Sequence, residues 1–266
     1  MLHLDLFSGI GGFALAAERV WPDIEHVFCE IDPFCRAILK THWPNSYIYE
    51  DIKTLTNANG AGLQTTGAKQ QTAGLARVDL LTGGFPCQPF SAAGKRKGRS
   101  DDRHLWPEMR RVIQEFSPHY VVAENVRGLL SIEGGMVFET VCTDLEALGY
   151  EVQPVIIPAC AVGAPHRRDR VWIVAHTTGV RCDGRDDKRE GIQRSDEARR
   201  EARAGNKQAW REDWPTVATR LCRMDDGLSE GVSRPRGWRN AALKAYGNAI
   251  VPQVAEQIFR AIKETY

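Results

Sequence analysis

The sequence predicts an α/β fold in which a mostly parallel sheet carries helices on both faces. Strand-like and helix-like segments alternate through about residue 176. The segments 78–82, 120–123 and 170–175 are short and mostly apolar, which is typical of strands buried on both faces. Because parallel strands need crossover connections, this alternation favours helices packed on either side of one sheet.

The first strand, turn and helix are indicated by leucines at positions 4 and 6, the glycine-rich run 8–12 and apolar residues with helical spacing from 13 to 20. Pro22 ends that helix. A second strand covers 27–29, a helix begins near Pro33, and a third short strand covers 47–49. The sequence therefore opens with two strand-helix units and the start of a third.

The remaining units follow the same pattern up to about residue 176. Segment 56–76, rich in Ala, Gly, Gln and Thr, is expected to be a mobile surface loop, and we assign it no role. Gly149 marks the end of the helix that precedes the last two strands. The further elements are strands at 78–82, 120–123, 151–157 and 170–175, and helices near 107–116 and 136–148.

The composition is that of a globular protein. The 266 residues are 42% hydrophobic and 26% charged, with a formal net charge of +1. A disordered chain would combine low hydrophobicity with high net charge, so that class is excluded. The length fits one large α/β domain, alone or with a small appendage. The net charge is unlike that of a simple polycation, but it permits a nucleic-acid enzyme with one basic face.

The cysteines and the apolar segments indicate a cytoplasmic protein. The seven cysteines are scattered and form no C-x-x-C pair, which argues against a zinc site and against a disulfide framework. No apolar run approaches the roughly 20 residues of a membrane span. The first residues lack the basic start of a signal peptide. We therefore expect a reducing compartment and no membrane partner.

The character of the sequence changes after residue 176. Segment 177–213 is dominated by charged residues and glycine and cannot form a core of its own, whereas the sequence is apolar and helical again from Trp238. The charged stretch is either a partly disordered insertion or a surface that binds phosphates.

The glycine-rich turn is a candidate cofactor site. Residues 9–14 fit G-x-G-x-x-A between a strand and a helix, a pattern that lets backbone approach a ligand. Glu30 ends the second strand, where a carboxylate can bind ribose hydroxyls. NAD, FAD and S-adenosylmethionine sites all use such a turn, and a tight turn without a ligand is the alternative.

Cys87 is a candidate nucleophile because it follows a strand at the edge where ligands bind. The basic run 94–99 comes directly after it and suits phosphates. A buried, inert cysteine and a solvated loop are the alternatives.

Glu124 ends the next strand, and Arg167, Arg168 and Arg170 precede the last one. A carboxyl group opposite Cys87 can donate a proton, and arginines can hold a substrate oxygen. The alternatives are a helix-capping acid and a surface ion-pair cluster.

Taken in order, these motifs resemble the DNA cytosine-5 methyltransferase family, especially its short bacterial and phage members. The resemblance covers 3–176 and about 234–262. It is carried by DLFSGIGGF, Glu30, Asp51-Ile52, GGFPCQPFS with GKRKG, ENV, RRDRVW and YGNAIVPQ. It implies a Rossmann-like sheet of the S-adenosylmethionine-dependent methyltransferase type, with a catalytic domain at 1–176, a short target-recognition region at 177–233 and a returning C-terminal segment at 234–266.

The resemblance implies S-adenosylmethionine as cofactor, with S-adenosylhomocysteine as product. The first motif lines the cofactor site, the acid after the second strand holds the ribose, and the Asp-Ile pair borders the adenine. The implied cofactor-binding residues are Phe7, Gly9, Gly11, Glu30, Ile31, Asp51, Ile52, Pro86 and Asn248.

The resemblance also implies the catalytic groups and a double-stranded DNA partner. Cys87 attacks C6 of a flipped cytosine, Glu124 lies near N3, and Arg168, with Arg170, lies near the O2 carbonyl. The loop 86–103 is expected to close over the base. The implied DNA contacts of this loop are Gln88, Ser91, Lys95, Arg96, Lys97 and Arg99.

Several alternatives to this interpretation stay open. A tRNA cytosine methyltransferase of the same fold and a catalytically silent DNA-binding relative share most of the motifs, and an NAD oxidoreductase would share only the glycine turn. His166 stands where the family usually has Gln, and the recognition region is short. We further expect a monomer, in a bacterial cell or encoded by a phage, and a cognate restriction endonuclease is a candidate partner.

Overall fold

The computed structural model describes residues 1–57, 78–86, 105–177 and 238–264. Within these ranges seven strands form one sheet in the order β3-β2-β1-β4-β5-β7-β6. The strands are β1 (Leu2–Leu6), β2 (Glu25–Cys29), β3 (Tyr47–Tyr49), β4 (Leu80–Gly83), β5 (Tyr120–Val126), β6 (Tyr150–Pro158) and β7 (Asp169–Thr177).

Six α-helices and three 3₁₀ helices accompany these strands in the described ranges. The α-helices are α1 (Gly12–Val20), α2 (Pro33–His42), α3 (Trp106–Phe116), α4 (Met136–Ala147), α5 (Trp238–Asn248) and α6 (Pro252–Glu264). The 3₁₀ helices are Ile52–Thr54, Arg127–Gly135 and Ala159–Val162. None of the helices in these ranges combines the length and apolar character that a membrane crossing requires.

The predicted α/β class is confirmed, and one strand breaks the parallel pattern. Strands β1, β2, β3, β4 and β5 pair in parallel, whereas β7 runs antiparallel to β5, with Glu124 opposite Trp172 and Val126 opposite Arg170. The first residues of β7 therefore lie at the edge where β5 ends. The predicted loop at 56–76 and the predicted recognition region lie almost wholly outside the described residues.

The contacts within the chain define two compact units. The first contains 1–157, 169–178 and 239–266, and the second contains 158–168 and 179–238. The sheet and α6 belong to the first unit. The second unit includes the 3₁₀ helix Ala159–Val162 and the residues up to Arg168.

One face of the sheet is apolar and packs on α3. Leu4, Leu6 and Leu81 are fully buried and belong to one cluster with Met109 and Ile113 of α3. Burying such side chains contributes on the order of 2 kcal/mol each. This cluster fixes the central strands from one side.

The other face is covered by α1 and α6. Phe13 of α1 lies edge-on to Trp172 of β7, with ring centroids 6.0 Å apart, and packs on Phe259 of α6. Lys263 Nζ also donates to the carbonyl of Val20 at 2.7 Å. The last helix is thereby fixed to the first.

A row of polar side chains is buried on this second face, under α1. His3 and Asp5 of β1, His26 of β2 and Thr82 of β4 are all buried. Burial raises the pKa of Asp5 to about 8 and lowers the pKa of His26 to about 4. Burial, together with the neighbouring His26, lowers the pKa of His3 well below its usual value. These three groups are therefore all uncharged at neutral pH.

This row makes the stability of the fold depend on pH. The two histidines bind protons more readily in the unfolded chain, so their contribution is lost as pH falls below their ordinary pKa of 6.5. Asp5 binds its proton more tightly in the folded chain, so its contribution falls as pH rises towards about 8. We expect the combined contribution to peak near pH 6.5 and to fall by about 1.4 kcal/mol per pH unit on either side, the value for one net proton.

Urea unfolding between about pH 5 and pH 8 measures this profile. Asp5→Asn is the matched variant, because it removes the ionisable acid while keeping its shape. We expect it to abolish the fall on the alkaline side and to steepen the fall on the acid side to about 2.7 kcal/mol per pH unit, because Asp5 no longer offsets one of the two histidine protons. A wild-type profile that is flat across the range contradicts the assignment.

Candidate functional site

A cavity of about 620 Å³ opens at the carboxyl edge of the sheet in the first unit. This volume lies within the range of small-molecule sites. The ends of β1, β2, β4 and β5, the start of β7 and the segment between α5 and α6 all contribute side chains to it. Eight of the nine cofactor-binding residues predicted from the sequence line it: Phe7, Gly9, Glu30, Ile31, Asp51, Ile52, Pro86 and Asn248.

The turn after β1 forms one wall of the cavity. Ser8 Oγ donates to the Asp5 carbonyl at 2.6 Å, and Gly11 N donates to the Ser8 carbonyl at 2.9 Å. Phe7 and Gly9 both have positive φ, at 53° and 55°. A Cβ at Gly9 would have no atom within 4 Å, so the backbone here faces open space that a ligand can approach.

Gly11, the ninth residue, does not line the cavity. Its φ is 84°, and a Cβ there would lie 2.4 Å from the ring of Trp43. The glycine pattern of the turn therefore has two different causes. Gly9 leaves space at the cavity, whereas Gly11 permits a left-handed turn and close packing of α2 against the start of α1.

Glu30 is buried and joins two loops of the cavity wall. Its Oε2 accepts from Gly9 N and its Oε1 accepts from Asp32 N, both at 2.7 Å. Carboxylate oxygens have further lone pairs, so Glu30 can also accept from a ligand hydroxyl. Ile31 beside it is 71% exposed and offers an apolar surface to the cavity.

Asp51 and Ile52 follow β3 at the same edge. Asp51 Oδ1 accepts from Lys53 N at 3.0 Å and caps the 3₁₀ helix, while Ile52 is buried. Arg111 of α3 donates to the carbonyls of Ile52 and Leu55 at 2.7 and 2.8 Å. Arg111 thus fixes the segment that carries Asp51, a function that the sequence analysis missed because nothing in a helical arginine indicates its partner.

The far wall carries an ion pair between Glu124 and Arg170. Arg170 Nε lies 2.7 Å from Glu124 Oε1, and their side chains are only 20% and 10% exposed. The antiparallel pairing of β7 with β5 places these two residues together. A Cβ at Gly84 would lie 3.2 Å from Glu124 Oε2, so Gly84 leaves room for this carboxyl group.

Arg168 is placed differently from Arg170. It directly precedes β7, belongs to the second unit and has a φ of 33°, and it is not among the residues that line the cavity. The role near the cytosine O2 carbonyl was predicted first for Arg168. In the structure, Arg170 makes the contact with Glu124.

Asn125 is a functional residue that the sequence analysis quoted only as part of ENV. Its Nδ2 donates to the Phe85 carbonyl at 2.9 Å, and its Oδ1 accepts from Val126 N at 2.9 Å. It therefore holds the backbone two residues before Cys87. Its position beside Glu124 at a strand end was the available signal.

Cys87 and the predicted DNA contacts Gln88, Ser91, Lys95, Arg96, Lys97 and Arg99 lie outside the described residues. Pro86, which precedes Cys87, lines the cavity.

Two other cysteines line the cavity but are poor nucleophiles. Burial and the nearby carboxylates raise the pKa of the Cys29 thiol to about 12, and burial raises that of Cys35 to about 11. A thiol with such a pKa is almost wholly protonated near neutrality.

The C-terminal segment completes the cavity. Asn248 and Ile250 line it, and a Cβ at Gly12 would lie 2.7 Å from Ile250 Cγ1. Lys244 of α5 reaches Asp32 Oδ2 at 3.3 Å. The contacts of Ile250 and Lys244 were not predicted, because they join residues more than 200 positions apart.

Comparison with known proteins matches most of the chain to one family. Residues 1–214 match the family model described as C-5 cytosine-specific DNA methylase. The Type II methyltransferase M.PspPI of a Psychrobacter species is 38% identical over 186 residues, which cover 68% of this chain and 39% of that protein. The Type II methyltransferase M.AluI of Cellulosimicrobium cellulans is 34% identical over 180 residues, covering 65% and 33%.

Solved structures show the same fold. The Dnmt2 methyltransferase of S. pombe superposes with a TM-score of 0.59 at 18% identity, covering 100% of this chain and 99% of that one.

The matched part of this chain spans less than two fifths of the length of the Type II relatives M.PspPI and M.AluI.

The ion pair at the far wall is expected to be structurally important. Arg170→Met removes the cation beside a nearly buried carboxylate, and we expect a loss of roughly 3 kcal/mol in the free energy of unfolding. Adding Glu124→Gln removes the charge as well, and the double variant should recover part of that loss. Urea unfolding of both single variants and the double variant gives the coupling energy. Strictly additive losses would show that the pair contributes nothing of its own.

Proposed function

The chain belongs to the C-5 cytosine-specific DNA methylase family, and from this premise we propose that it methylates DNA. The proposed reaction transfers a methyl group from S-adenosylmethionine to C5 of a flipped cytosine in a specific double-stranded sequence, through a covalent adduct with Cys87. One observation carries the proposal: a single cavity, which Pro86 also lines, joins the Gly9–Glu30 wall, which suits a nucleoside, to the Glu124–Arg170 pair.

The first wall fits S-adenosylmethionine. The open space at Gly9 admits a ligand close to the backbone, and Glu30 is fixed by two backbone N–H groups with lone pairs to spare for ribose hydroxyls. Phe7 and Ile31 offer apolar surfaces to the adenine, which Asp51 and Ile52 border, and we assign Asn248, which also lines the cavity, to the methionine end of the cofactor. When bound, the cofactor supplies an electrophilic methyl group on a sulfonium.

The second wall fits a cytosine ring. Glu124 can accept from the exocyclic amine and hold a proton at N3, and Arg170 supplies a fixed cation beside it. Negative charge develops on the ring when a thiolate adds to C6, and a preorganised cation offsets that charge. In this proposal Arg170 fixes Glu124, and Arg168 remains the candidate partner of the O2 carbonyl.

Cys87 is the proposed nucleophile. Its sulfur bonds to C6, which makes C5 nucleophilic enough to accept the methyl group. A base then removes the C5 proton, the C6–S bond breaks, and the thiolate is regenerated. Asn125 supports this step by holding the Phe85 carbonyl at the start of the loop that carries Cys87.

The DNA contacts and the cellular setting belong to the same proposal. We assign phosphate contacts to the basic run 94–99, with Gln88 and Ser91 beside the base, and target recognition to 177–233. The enzyme would act as a monomer in the cytoplasm of a bacterium or of a phage-infected host. The Type II designation of the relatives points to a cognate restriction endonuclease as a functional partner.

Nucleoside mass spectrometry tests the reaction. The protein is incubated with isotopically labelled S-adenosylmethionine and, separately, with mixed-sequence duplex DNA and with tRNA. We expect labelled 5-methyldeoxycytidine in the DNA and none in the tRNA. Label in the tRNA alone would move the activity to RNA, and label in neither would favour a silent binding protein.

Cys87→Ser tests the nucleophile. Because serine is a far weaker nucleophile than a thiolate, methylation should fall by at least about a hundredfold while cofactor and DNA are still bound. A 5-fluorocytosine duplex traps the wild-type protein covalently, since the C5 fluorine cannot leave as a proton does, and should not trap the variant. Cys29→Ser is the matched control and should still be trapped. Equal trapping of Cys87→Ser and wild type would rule out the assignment.

Salt dependence tests the proposed phosphate contacts. If Lys95, Arg96, Lys97 and Arg99 each neutralise one phosphate, replacing all four by glutamine should reduce the slope of log affinity against log salt by about 3 to 4. A gel-shift or anisotropy titration at several salt concentrations measures the slope. An unchanged slope would show that these four residues do not contact the phosphates.

A further inference from the structure

The buried polar row under α1 forms one continuous hydrogen-bonded chain that the proposed reaction does not use. His26 Nδ1 lies 2.9 Å from His3 Nδ1, and His3 Nε2 lies 2.7 Å from Thr82 Oγ1. Thr82 Oγ1 in turn lies 2.6 Å from Asp5 Oδ1. Parallel sheets buried on both faces usually carry apolar residues at such positions, and unpaired polar groups there are costly.

The two ends of this row lie in different surroundings. At one end, His26 Nε2 is 3.5 Å from Glu18 Oε1 of α1, a side chain that is 40% exposed. At the other end is Asp5, whose carbonyl accepts from Ser8 Oγ. Gly9, the next residue of that turn, donates to Glu30. The row therefore connects the solvent-facing side of α1 to the turn whose Gly9 N donates to Glu30.

Two proton orders run in a single direction along the whole row. If Asp5 is ionised, Thr82 must donate to it, so His3 carries its proton on Nε2 and His26 carries its proton on Nδ1. If Asp5 is protonated on Oδ1, every bond reverses. His3 is then protonated on Nδ1, and His26 is protonated on Nε2, facing the Glu18 carboxylate.

The surrounding charges favour the protonated order. Asp5 Oδ2 is buried and has no hydrogen-bond partner among the described residues, so an anion there would be poorly compensated. Burial raises the pKa of Asp5 to about 8, with the charge of Glu30 adding to the rise and hydrogen bonds to Thr82 and Ser8 opposing it. In the ionised order, the unprotonated Nε2 of His26 would face the Glu18 carboxylate. Two acceptor atoms would then lie opposite each other with no proton between them, which is unfavourable.

The other charged groups on the covering helices point elsewhere. On α1, Arg19 pairs with Glu256 of α6 at 3.1 Å. On α6, Arg260 also pairs with Glu256, and Lys263 donates to the Val20 carbonyl. Glu18 faces His26 at one end of the row, and the charge of Glu30 acts on Asp5 at the other.

We propose, resting on the proposed cofactor function, that Asp5 is a positioning residue of the cofactor site and acts as a neutral carboxylic acid. The row through Thr82, His3 and His26 holds its proton. The Ser8–Gly9 turn is then bonded to one carboxylate, that of Glu30, with no second negative charge beneath it. Ionisation of Asp5 would reverse the row and place a second negative charge under the Ser8–Gly9 turn, weakening its hold on Glu30 and on the ligand.

Two measurements test this proposal. Calorimetry gives the Kd for S-adenosylhomocysteine, which we expect to rise about tenfold between about pH 7 and pH 9 in the wild-type protein, because only the protonated form binds well. Asp5→Asn mimics the neutral acid and should bind at both pH values as the wild type does at the lower one. Asp79→Asn, which alters an acid that accepts from Leu2 N at the opposite end of the sheet, should keep the wild-type pH dependence.

The second measurement needs no ligand. Nitrogen-15 NMR of the histidine rings in the free protein should show His3 protonated on Nδ1 and His26 on Nε2 near neutral pH, with both tautomers exchanged above the transition. Thr82→Val cuts the row and should abolish the exchange.

The outcomes separate the two proposals. Fixed tautomers across this range, or equal pH dependence in Asp5→Asn and wild type, would overturn the role of Asp5. Failure to bind S-adenosylhomocysteine at any pH, with the tautomer exchange intact, would overturn the cofactor assignment and leave the neutral Asp5 supported.

Discussion

The site depends on how the protein accommodates four carboxyl groups at one edge of a sheet. The parallel strands bring Asp5, Glu30, Asp51 and Glu124 to that edge, and like charges so close together repel one another. Each group is compensated in a different way. Glu30 accepts from two backbone N–H groups, Asp51 caps a 3₁₀ helix, Glu124 pairs with Arg170, and Asp5 keeps its proton. The way in which each carboxyl group is compensated decides what its part of the cavity can bind.

These devices also explain which parts of the site were predictable from the sequence. The strand ends, the glycine turn and the acids after the strands follow from local patterns, because a parallel fold places all strand ends at one edge. Seven of the nine predicted cofactor-binding residues line the cavity for that reason, and an eighth, Asn248, reaches it from the end of α5. Gly11 departs from the prediction because the sequence does not show that a large ring, Trp43, packs on it.

The remainder depends on contacts that no local pattern encodes. Arg170 meets Glu124 only because β7 enters the sheet antiparallel, which the strand pattern of its residues does not reveal. Ile250 reaches Gly12 because α6 packs back on α1. In both cases residues far apart in the chain meet through tertiary packing. The sequence can single out a candidate residue, but it does not show which residue that candidate contacts.

The two walls of the cavity are therefore stabilised by different physical means. We name them after their proposed ligands: the cofactor wall contains Gly9 and Glu30, and the cytosine wall contains Glu124 and Arg170. The cofactor wall is fixed mostly through backbone groups, the two N–H groups that hold Glu30 and the two carbonyls that accept from Arg111. The cytosine wall is fixed by side chains, Arg170 on Glu124 and Asn125 on Phe85, whose positions depend on the register of β5 and β7. A small change in that register would disturb the cytosine wall and leave the cofactor wall intact. It follows that substitutions between β5 and β7 should affect methyl transfer more than cofactor binding, even when they lie far from either ligand.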